Sequence, residues 1–208
     1  IDFSKAIEQD PNNAFGYYKR GNAYYLNNNF EAAIRDYSTA IRLNGVAYEY
    51  YERGLAYADA GRHMSAILDF TKAIEFNLGT EFEKYTAAPQ YYFRAKSLYF
   101  LGEYSAAIED LTKAITFDSS YVNAFSLRAD INLKLNKYNA VLADRSAVIR
   151  LSPNDYEAYF GRGCMYDALN QYEKAIRDYE EFLKSPTESE FSGWARNRIN
   201  ELRRKTRH

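Results

Sequence analysis

Residues 88–121 read APQYYFRAKSLYFLGEYSAAIEDLTKAITFDSSY, and this stretch decides the fold. Arg94 precedes the small residue Ala95, and Asp110 follows later in the same stretch. Apolar residues recur at three- and four-residue spacing, which is typical of amphipathic helices. Gly102 interrupts the pattern, and glycine tolerates the positive φ that commonly ends a helix. The stretch therefore predicts two helices joined by a short turn.

The same arrangement occurs five times along the chain. Its small residues are Gly21, Gly54, Ala95, Ala129 and Gly163. Each of them directly follows an arginine, namely Arg20, Arg53, Arg94, Arg128 or Arg162. Each also precedes an aspartate at one fixed distance, namely Asp36, Asp69, Asp110, Asp144 or Asp178. Self-similarity at a period of about 34 residues predicts a solenoid of helical hairpins, which offers an extended surface for holding a partner.

Residues suited to a left-handed turn stand at one position in every copy. They are Asn28, Gly61, Gly102, Asn136 and Asn170. We expect the first helix of each copy to end there, because asparagine and glycine tolerate positive φ. The second helix then shows an apolar stripe at helical spacing, as in Ala33, Ile34 and Tyr37. The pattern predicts an all-α fold.

The pattern resembles the tetratricopeptide repeat over residues 14 to about 187. The matching features include an early aromatic such as Tyr17, the small residue that follows it, a later alanine such as Ala33, and the closing Pro153. The resemblance implies a right-handed α-solenoid of stacked helix-turn-helix hairpins. One departure is the arginine in every copy where the family usually has leucine. Another is in the fourth copy, where the family favours alanine, an aromatic and alanine but this chain has Val141, Arg145 and Val148.

The repeated arginine and aspartate have two interpretations. The aspartate lies on the inward side of the second helix, where the arginine would form a two-pronged, charge-assisted bond to it. Such a pair would fix the register of each hairpin. The alternative is a charged ladder that binds a partner. We favour the internal pair.

The repeat register divides the chain into seven segments. Residues 1–13 match the second helix of a truncated preceding repeat, and because residue 1 is not methionine we expect the chain to be a piece of a longer protein. Units 1 to 5 follow at 14–46, 47–87, 88–121, 122–155 and 156–186, and a capping helix with a basic tail occupies 187–208.

Two segments depart from the strict repeat. Residues 79–87 form an insert at the end of unit 2, where Thr80 and Glu83 have capping-box spacing. Pro89 then suits the first turn of the next helix. We expect an added or prolonged helical turn, with partner contact by Phe82 and Tyr85 as the alternative. Near the end, residues 185–188 predict the start of the capping helix, whose apolar stripe is Phe191, Trp194, Ala195, Ile199 and Leu202.

The composition excludes several classes of function. The 208 residues carry a formal net charge of −1, which gives no argument for nucleic acid, and no apolar run is long enough to cross a membrane. The basic C-terminal residues suit a helix C-terminus. His63 stands at an aromatic position of the repeat, and Cys164 has no histidine nearby in sequence. We therefore expect no enzyme activity, no metal and no cofactor.

The resemblance also implies a partner-binding face lined by the first helices. Tyrosine, of which the chain has 21, gives large contact area at low entropic cost and is enriched at interfaces. In units 1 to 3 this face is rich in rings, and in units 4 and 5 it becomes acidic. The predicted binding residues are Phe15, Tyr18, Asn22, Tyr25, Tyr48, Tyr51, Tyr92, Lys96, Tyr99, Asp130, Glu157 and Asp167.

We expect a protein-interaction scaffold that binds a peptide or a partner helix, apolar near units 1 to 3 and basic near units 4 and 5. A heat-shock chaperone C-terminal peptide is disfavoured, because only Asn22 matches that clamp, while Tyr18 and Glu52 replace its lysine and asparagine. The alternatives are a self-associating structural scaffold, which would be a homo-oligomer, and a targeting module of a larger protein.

Overall fold

The computed structural model describes residues 3–188 and 190–206, which form twelve α-helices and no strand. The all-α fold predicted from the sequence is confirmed. The chain divides into an N-terminal body, Ile1–Ser119, and a C-terminal body, Ser120–His208. The predicted first and last segments extend to residues 1, 2, 207 and 208, which lie outside the described residues.

The N-terminal body contains a short helix and three antiparallel hairpins. Helix α1 (Phe3–Gln9) packs on α2. The hairpins are α2 (Ala14–Leu26) with α3 (Phe30–Leu43), α4 (Ala47–Asp59) with α5 (His63–Asn77), and α6 (Glu83–Phe100) with α7 (Tyr104–Phe117). Each hairpin packs on the next through α3 against α4 and α5 against α6.

The C-terminal body contains two hairpins and a final helix. The hairpins are α8 (Val122–Lys134) with α9 (Tyr138–Leu151) and α10 (Tyr156–Ala168) with α11 (Tyr172–Phe182). Helix α9 packs on α10, and α12 (Ser192–Lys205) packs on α11. Ala195, Ile199 and Leu202 of α12 are buried there, so the predicted capping stripe is confirmed for these three residues.

The turn prediction is confirmed in all five hairpins. The residues with positive φ after the first helices are Asn28 (57°), Gly61 (74°), Gly102 (80°), Asn136 (56°) and Asn170 (56°). A left-handed residue turns the chain sharply after a helix, and asparagine adopts it at lower cost than a branched residue. The short connection brings the second helix back antiparallel to the first.

The small residue of each hairpin is required by the ring or chain that faces it. A Cβ added at Gly54 would lie 2.8 Å from the ring of Phe70, which is completely buried. Gly21 faces Tyr37, and Gly163 faces Tyr179, in the same way. The two units with alanine at this place, Ala95 and Ala129, have leucine and arginine at the facing position, Leu111 and Arg145. The choice between glycine and alanine therefore follows the residue opposite.

The insert forms a helix extension, but its details differ from the prediction. Helix α6 begins at Glu83, so Pro89 lies inside the helix and not in its first turn. Thr80 and Glu83 do not form a capping box. The Thr80 hydroxyl donates to the Asn77 carbonyl at 2.6 Å, and the Glu83 carboxylate accepts from the Gly79 N–H at 2.9 Å. The extension persists despite the proline because Ala87 and Ala88 are buried against neighbouring helices.

The last helix begins later than predicted. Ser185 and the residues after it do not start a helix, since α12 begins at Ser192. The Ser185 hydroxyl contacts the Thr187 hydroxyl at 3.3 Å and caps no N–H in the way that was predicted. In the basic tail, Arg203 pairs with Glu180 and the Lys205 ammonium lies 5.4 Å from the Tyr172 ring centroid. The described part of the tail is thus packed on α11.

Candidate partner-binding surface

The repeated arginine and aspartate form an internal pair in every hairpin, as the favoured interpretation predicted. Arg94 Nε lies 2.7 Å from Asp110 Oδ2, and Arg94 Nη2 lies 2.8 Å from Asp110 Oδ1. The Asp110 side chain is 5% exposed and the Arg94 side chain 17%. The same two-pronged bond joins Arg20 to Asp36, Arg53 to Asp69, Arg128 to Asp144 and Arg162 to Asp178. This geometry gives the pair both strength and a fixed direction.

The arginines also reach the preceding hairpin, a contact that the sequence analysis missed. Arg53 Nη1 donates to the Ser38 hydroxyl of α3 at 3.0 Å, and Arg94 Nη1 donates to the Thr71 hydroxyl of α5 at 3.0 Å. The same contact joins Arg20 to Ser4 and Arg162 to Ser146. A hydroxyl residue two places after the repeated aspartate was the available signal. The final unit has Glu180 at this place, and it pairs with Arg203 of α12 instead.

Aromatic rings on the first helices of the N-terminal body contact one another from one helix to the next. Tyr18 of α2 meets Tyr48 of α4 edge-on, with ring centroids 4.8 Å apart. Tyr51 of α4 meets Phe93 of α6 at 6.0 Å, and Phe93 contacts Tyr92 at 5.1 Å. Phe93 was not among the predicted binding residues, although it joins the ring series of α4 to that of α6. We call this set of rings on α2, α4 and α6 the aromatic face, and we include Phe15 of α2, whose ring contacts the same Lys19 ammonium as Tyr18.

Several predicted binding residues already have partners within this body. The Tyr37 hydroxyl donates to Asn22 Oδ1 at 2.8 Å, and the Tyr25 hydroxyl donates to Asp59 Oδ2 at 2.6 Å. Tyr99 packs on the rings of Phe100 and Tyr104. These contacts orient Asn22, Tyr25 and Tyr99 and leave less of each for a ligand. The most exposed of the predicted binding residues here are Phe15, Tyr48 and Lys96.

Glu52 is a carboxylate within the aromatic face that has no counter-ion among the described residues. It follows Tyr51 on α4, and no described residue forms a salt bridge or hydrogen bond with it. Burial raises the pKa of Glu52 above its ordinary value of 4.5. Burial also raises the pKa of Tyr37, and the nearby Glu52 carboxylate raises it further. The site thus has a partly desolvated carboxyl group near the rings of Tyr25 and Tyr37.

The acidic residues predicted for the C-terminal body are mostly paired within it. Arg145 Nη2 lies 2.5 Å from Asp130 Oδ1. Arg198 of α12 holds Asp167 of α10 with two bonds, at 2.7 Å and 2.9 Å. Hydrogen bonds to Asp167 and Glu201 raise the pKa of Arg198. Of the predicted acidic residues, only Glu157 is exposed without a described ion pair. Asp130 keeps half of its side chain exposed despite this pair, whereas the Asp167 side chain is mostly buried beside Arg198.

The final helix also covers a ring of α10. Phe160 packs on Trp194 at 5.7 Å and on Phe191 at 5.1 Å, and Trp194 lies 5.5 Å from Tyr179. Phe93 of α6 contacts Tyr51 of α4 and Phe70 of α5 in the same way. Helix α12 therefore packs on the last hairpin in the position that a next first helix would take.

His63 and Cys164, the two side chains considered for catalysis, are packed among other side chains. His63 stacks on Phe100 with ring centroids 4.6 Å apart, as expected for a packing residue. Burial raises the pKa of the Cys164 thiol, which lowers its thiolate fraction and its reactivity. Within the described ranges, no group of three or more histidine, cysteine or carboxylate side chains is placed to hold a metal ion. None of the described helices has the length and apolar character needed to cross a membrane.

Comparison with solved structures identifies similar folds. YrrB, described as a tetratricopeptide repeat protein with an unusual peptide-binding site, is 22% identical, with a TM-score of 0.75 over 95% of this chain and 98% of its own. MamA is 20% identical, with a TM-score of 0.72 over 79% of this chain and 93% of its own. Yeast Tom70 is 18% identical, with a TM-score of 0.66 over 99% of this chain and 43% of its own. No curated protein matches the sequence.

Family models identify the repeat itself. Three models of the tetratricopeptide repeat match residues 14–45, 89–121 and 146–177. The first two matches coincide with the hairpins α2–α3 and α6–α7, and the third runs from within α9 through α10 into α11. The chain belongs to the tetratricopeptide repeat family, whose members serve as scaffolds for protein–protein interaction.

Proposed function

We propose that the aromatic face of the N-terminal body binds a peptide of a partner protein. The observation that carries this proposal is the ring series that passes from Tyr18 and Tyr48 to Tyr51 and Phe93 across three first helices. Rings in such a series give a large contact area with few rotatable bonds, which lowers the entropic cost of binding. The peptide-binding site of YrrB, a protein of similar fold, supports the proposal as an analogy.

The partner peptide carries a basic residue opposite Glu52. A carboxylate that burial has partly desolvated gains most from a counter-ion that arrives with the ligand. Arginine suits this place best, since its guanidinium both pairs with a carboxylate and stacks on tyrosine. Glu52 thus gives the aromatic face a preference in charge that rings alone would not provide.

A peptide-phage selection against the immobilised protein tests the proposal. Selected peptides are labelled and their affinity is measured by fluorescence anisotropy. Phe15→Ala and Tyr48→Ala should each raise Kd about tenfold, since exposed rings in an interface commonly contribute at this level. The matched controls are Met64→Ala and Leu68→Ala on α5, which remove apolar side chains that are each 63% exposed away from the aromatic face. Recovery of no peptide, or equal losses in the controls, would overturn the proposal.

Self-association is the second candidate function. Met64 and Leu68 lie one helical turn apart on α5 and form an exposed apolar pair. Such a pair would join two copies of the chain through their second helices. Light scattering after size exclusion separates the candidates. A dimer that dissociates in the Met64→Lys, Leu68→Lys variant supports self-association, and a monomer at high concentration excludes it.

A further inference from the structure

The insert helps to build a cavity in the N-terminal body. Because α6 begins at Glu83, five residues before the repeat unit starts at Ala88, its first turns extend beyond the repeat pattern. They enclose a cavity of about 500 Å³ together with the start of α4 and the end of α5. Its lining includes Tyr48, Tyr51, Phe76, Phe82, Tyr85 and Pro89. Phe82 and Tyr85 are 68% and 73% exposed, so two large rings stand at its rim.

The lining of this cavity is apolar and uncharged. No aspartate, glutamate, lysine or arginine lines it among the described residues. Two of its polar members satisfy each other, since Asn77 Nδ2 donates to the Thr86 hydroxyl at 3.1 Å, whereas Gln90 Oε1 is buried with no described partner. A charged group that entered would lose its hydration and find no counter-ion. The chemistry of the cavity therefore selects an uncharged occupant that is mostly apolar.

The cavity is continuous with the aromatic face. Tyr48 and Tyr51 line the cavity and also belong to the ring series on α4. A peptide that lies along the face therefore passes the mouth of the cavity. The volume lies within the range of small-ligand sites and accommodates a bulky aromatic side chain with room to adjust.

We propose that this cavity anchors one bulky, uncharged aromatic side chain of the partner peptide. This inference rests on the proposed function, and it adds the requirement that the partner peptide contain an aromatic residue. Rings that line a recess and also pack on an incoming ring give a desolvated contact of the kind that dominates binding energy in interfaces. The insert is thus a specificity device that the repeat pattern alone does not contain.

A titration with a single amino-acid probe tests the anchor site directly. N-acetyl-L-tryptophanamide is added to the full chain, and amide chemical shifts are followed by nuclear magnetic resonance. We expect shifts concentrated at the start of α4 and in residues 82–90. N-acetylglycinamide, which has the same amides and no ring, should produce none there. Shifts scattered over the surface, or equal shifts with the glycine probe, would overturn the inference.

Two variants with opposite effects on the cavity complete the test. The double variant Phe82→Ala, Tyr85→Ala removes the exposed rim rings, and Ala47→Phe fills the space from the α4 wall. Each should weaken probe binding about tenfold. Met64→Ala, which removes an exposed apolar side chain outside the cavity, should leave probe binding unchanged. Full probe affinity in both cavity variants, confirmed as folded by circular dichroism, would contradict the anchor.

The two proposals fail in distinguishable ways. If selected peptides depend on Phe15 and Tyr48 but lose nothing in the Phe82→Ala, Tyr85→Ala variant, the aromatic face binds and the anchor inference is wrong. If no peptide is selected, the proposed function itself fails. Selected peptides that share an aromatic residue, and lose affinity about tenfold when it becomes alanine, support the anchor.

Discussion

The two bodies of this protein use one repeat in different ways. Both carry the two-pronged arginine–aspartate bond inside every hairpin. In the N-terminal body the first helices then present rings and an unpaired carboxylate, Glu52. In the C-terminal body the corresponding acids are paired with Arg145 and Arg198, and α12 packs on Phe160. The comparison teaches that the same repeat can present an acid without a described partner or an acid held in an ion pair, depending on which residues stand near it.

The largest expected effect concerns the bond that the two bodies share. Asp110→Ala should cost about 3–5 kcal/mol of unfolding free energy, because it leaves the mostly buried Arg94 without its counter-ion. Denaturant unfolding followed by circular dichroism measures it. Glu75→Ala is the matched control, since its pair with Lys72 is exposed and should contribute far less to the unfolding free energy. Equal effects of the two variants would show that the repeated pair does not hold the hairpin.

The next largest effect concerns the ion pair between Arg198 of α12 and Asp167 of α10. Arg198→Ala should destabilise the protein by about 1.5–3 kcal/mol, because Asp167 loses two charge-assisted bonds while mostly buried. Thermal unfolding measures the loss. Arg196→Ala removes an arginine of the same helix whose pair with Glu188 is exposed, and it should change stability by at most about 1 kcal/mol. If both variants behave alike, α12 is not held on α10 through Asp167.

A smaller effect concerns the close approach of the two helices in a hairpin. Gly54→Ala should cost about 1–2 kcal/mol, because the new methyl group meets the immobile ring of Phe70 while alanine favours the helix itself. Combining it with Phe70→Leu recreates the natural combination of Ala95 with Leu111. The double variant should be more stable than the sum of the single variants predicts, and a double-mutant cycle measures this coupling. Simple additivity would contradict the steric explanation.

The smallest effect on stability concerns the open face, and it has a defined pH dependence. Burial raises the pKa of Glu52 in the folded protein, so between its ordinary value of 4.5 and that raised pKa the folded state binds more protons than the unfolded state. Stability contributed by this group therefore falls as the pH rises through this window. Glu52→Gln should raise the melting temperature at pH 7 and have little effect below pH 4.

The same variant separates folding from binding. Glu52→Gln should weaken the binding of a selected basic peptide while it stabilises the free protein. The buried carboxylate that costs folding free energy also attracts the basic residue of the ligand. Anisotropy titrations and thermal unfolding of one preparation give both quantities. A variant that is less stable and binds as well as the wild type would exclude Glu52 as the receptor for a basic residue.

Sequence reasoning succeeded where the determining contacts recur at short range. The left-handed turns at Asn28 and Gly61 follow from local backbone sterics, and the Arg53–Asp69 bond follows from two helices joined by one short turn. It failed at the starts of α6 and α12, since Pro89 and Ser185 resemble helix-start signals in isolation. Burial of Ala87 and Ala88 outweighs the preference of Pro89 for the first turn of a helix.

The candidate surface was only partly predictable for the same reason. Tyr48 and Tyr51 were found from the repeat register, and they line both the aromatic face and the cavity. Phe93 was missed because its role depends on rings of α4 and α5. Asp167 was assigned to a partner because its counter-ion, Arg198, lies 31 residues away in a helix outside the repeat.

The amino-acid sequence alone determined the number of hairpins, their turns, the glycine or alanine at each close approach and the internal ion pairs. These depend on residues within one hairpin, so one pattern repeated five times is sufficient to specify them. Only the tertiary structure decided how the two non-repeating segments pack: the insert before α6 lines a cavity with α4 and α5, and α12 pairs Arg198 with Asp167. Packing between distant segments leaves no periodic trace in the sequence.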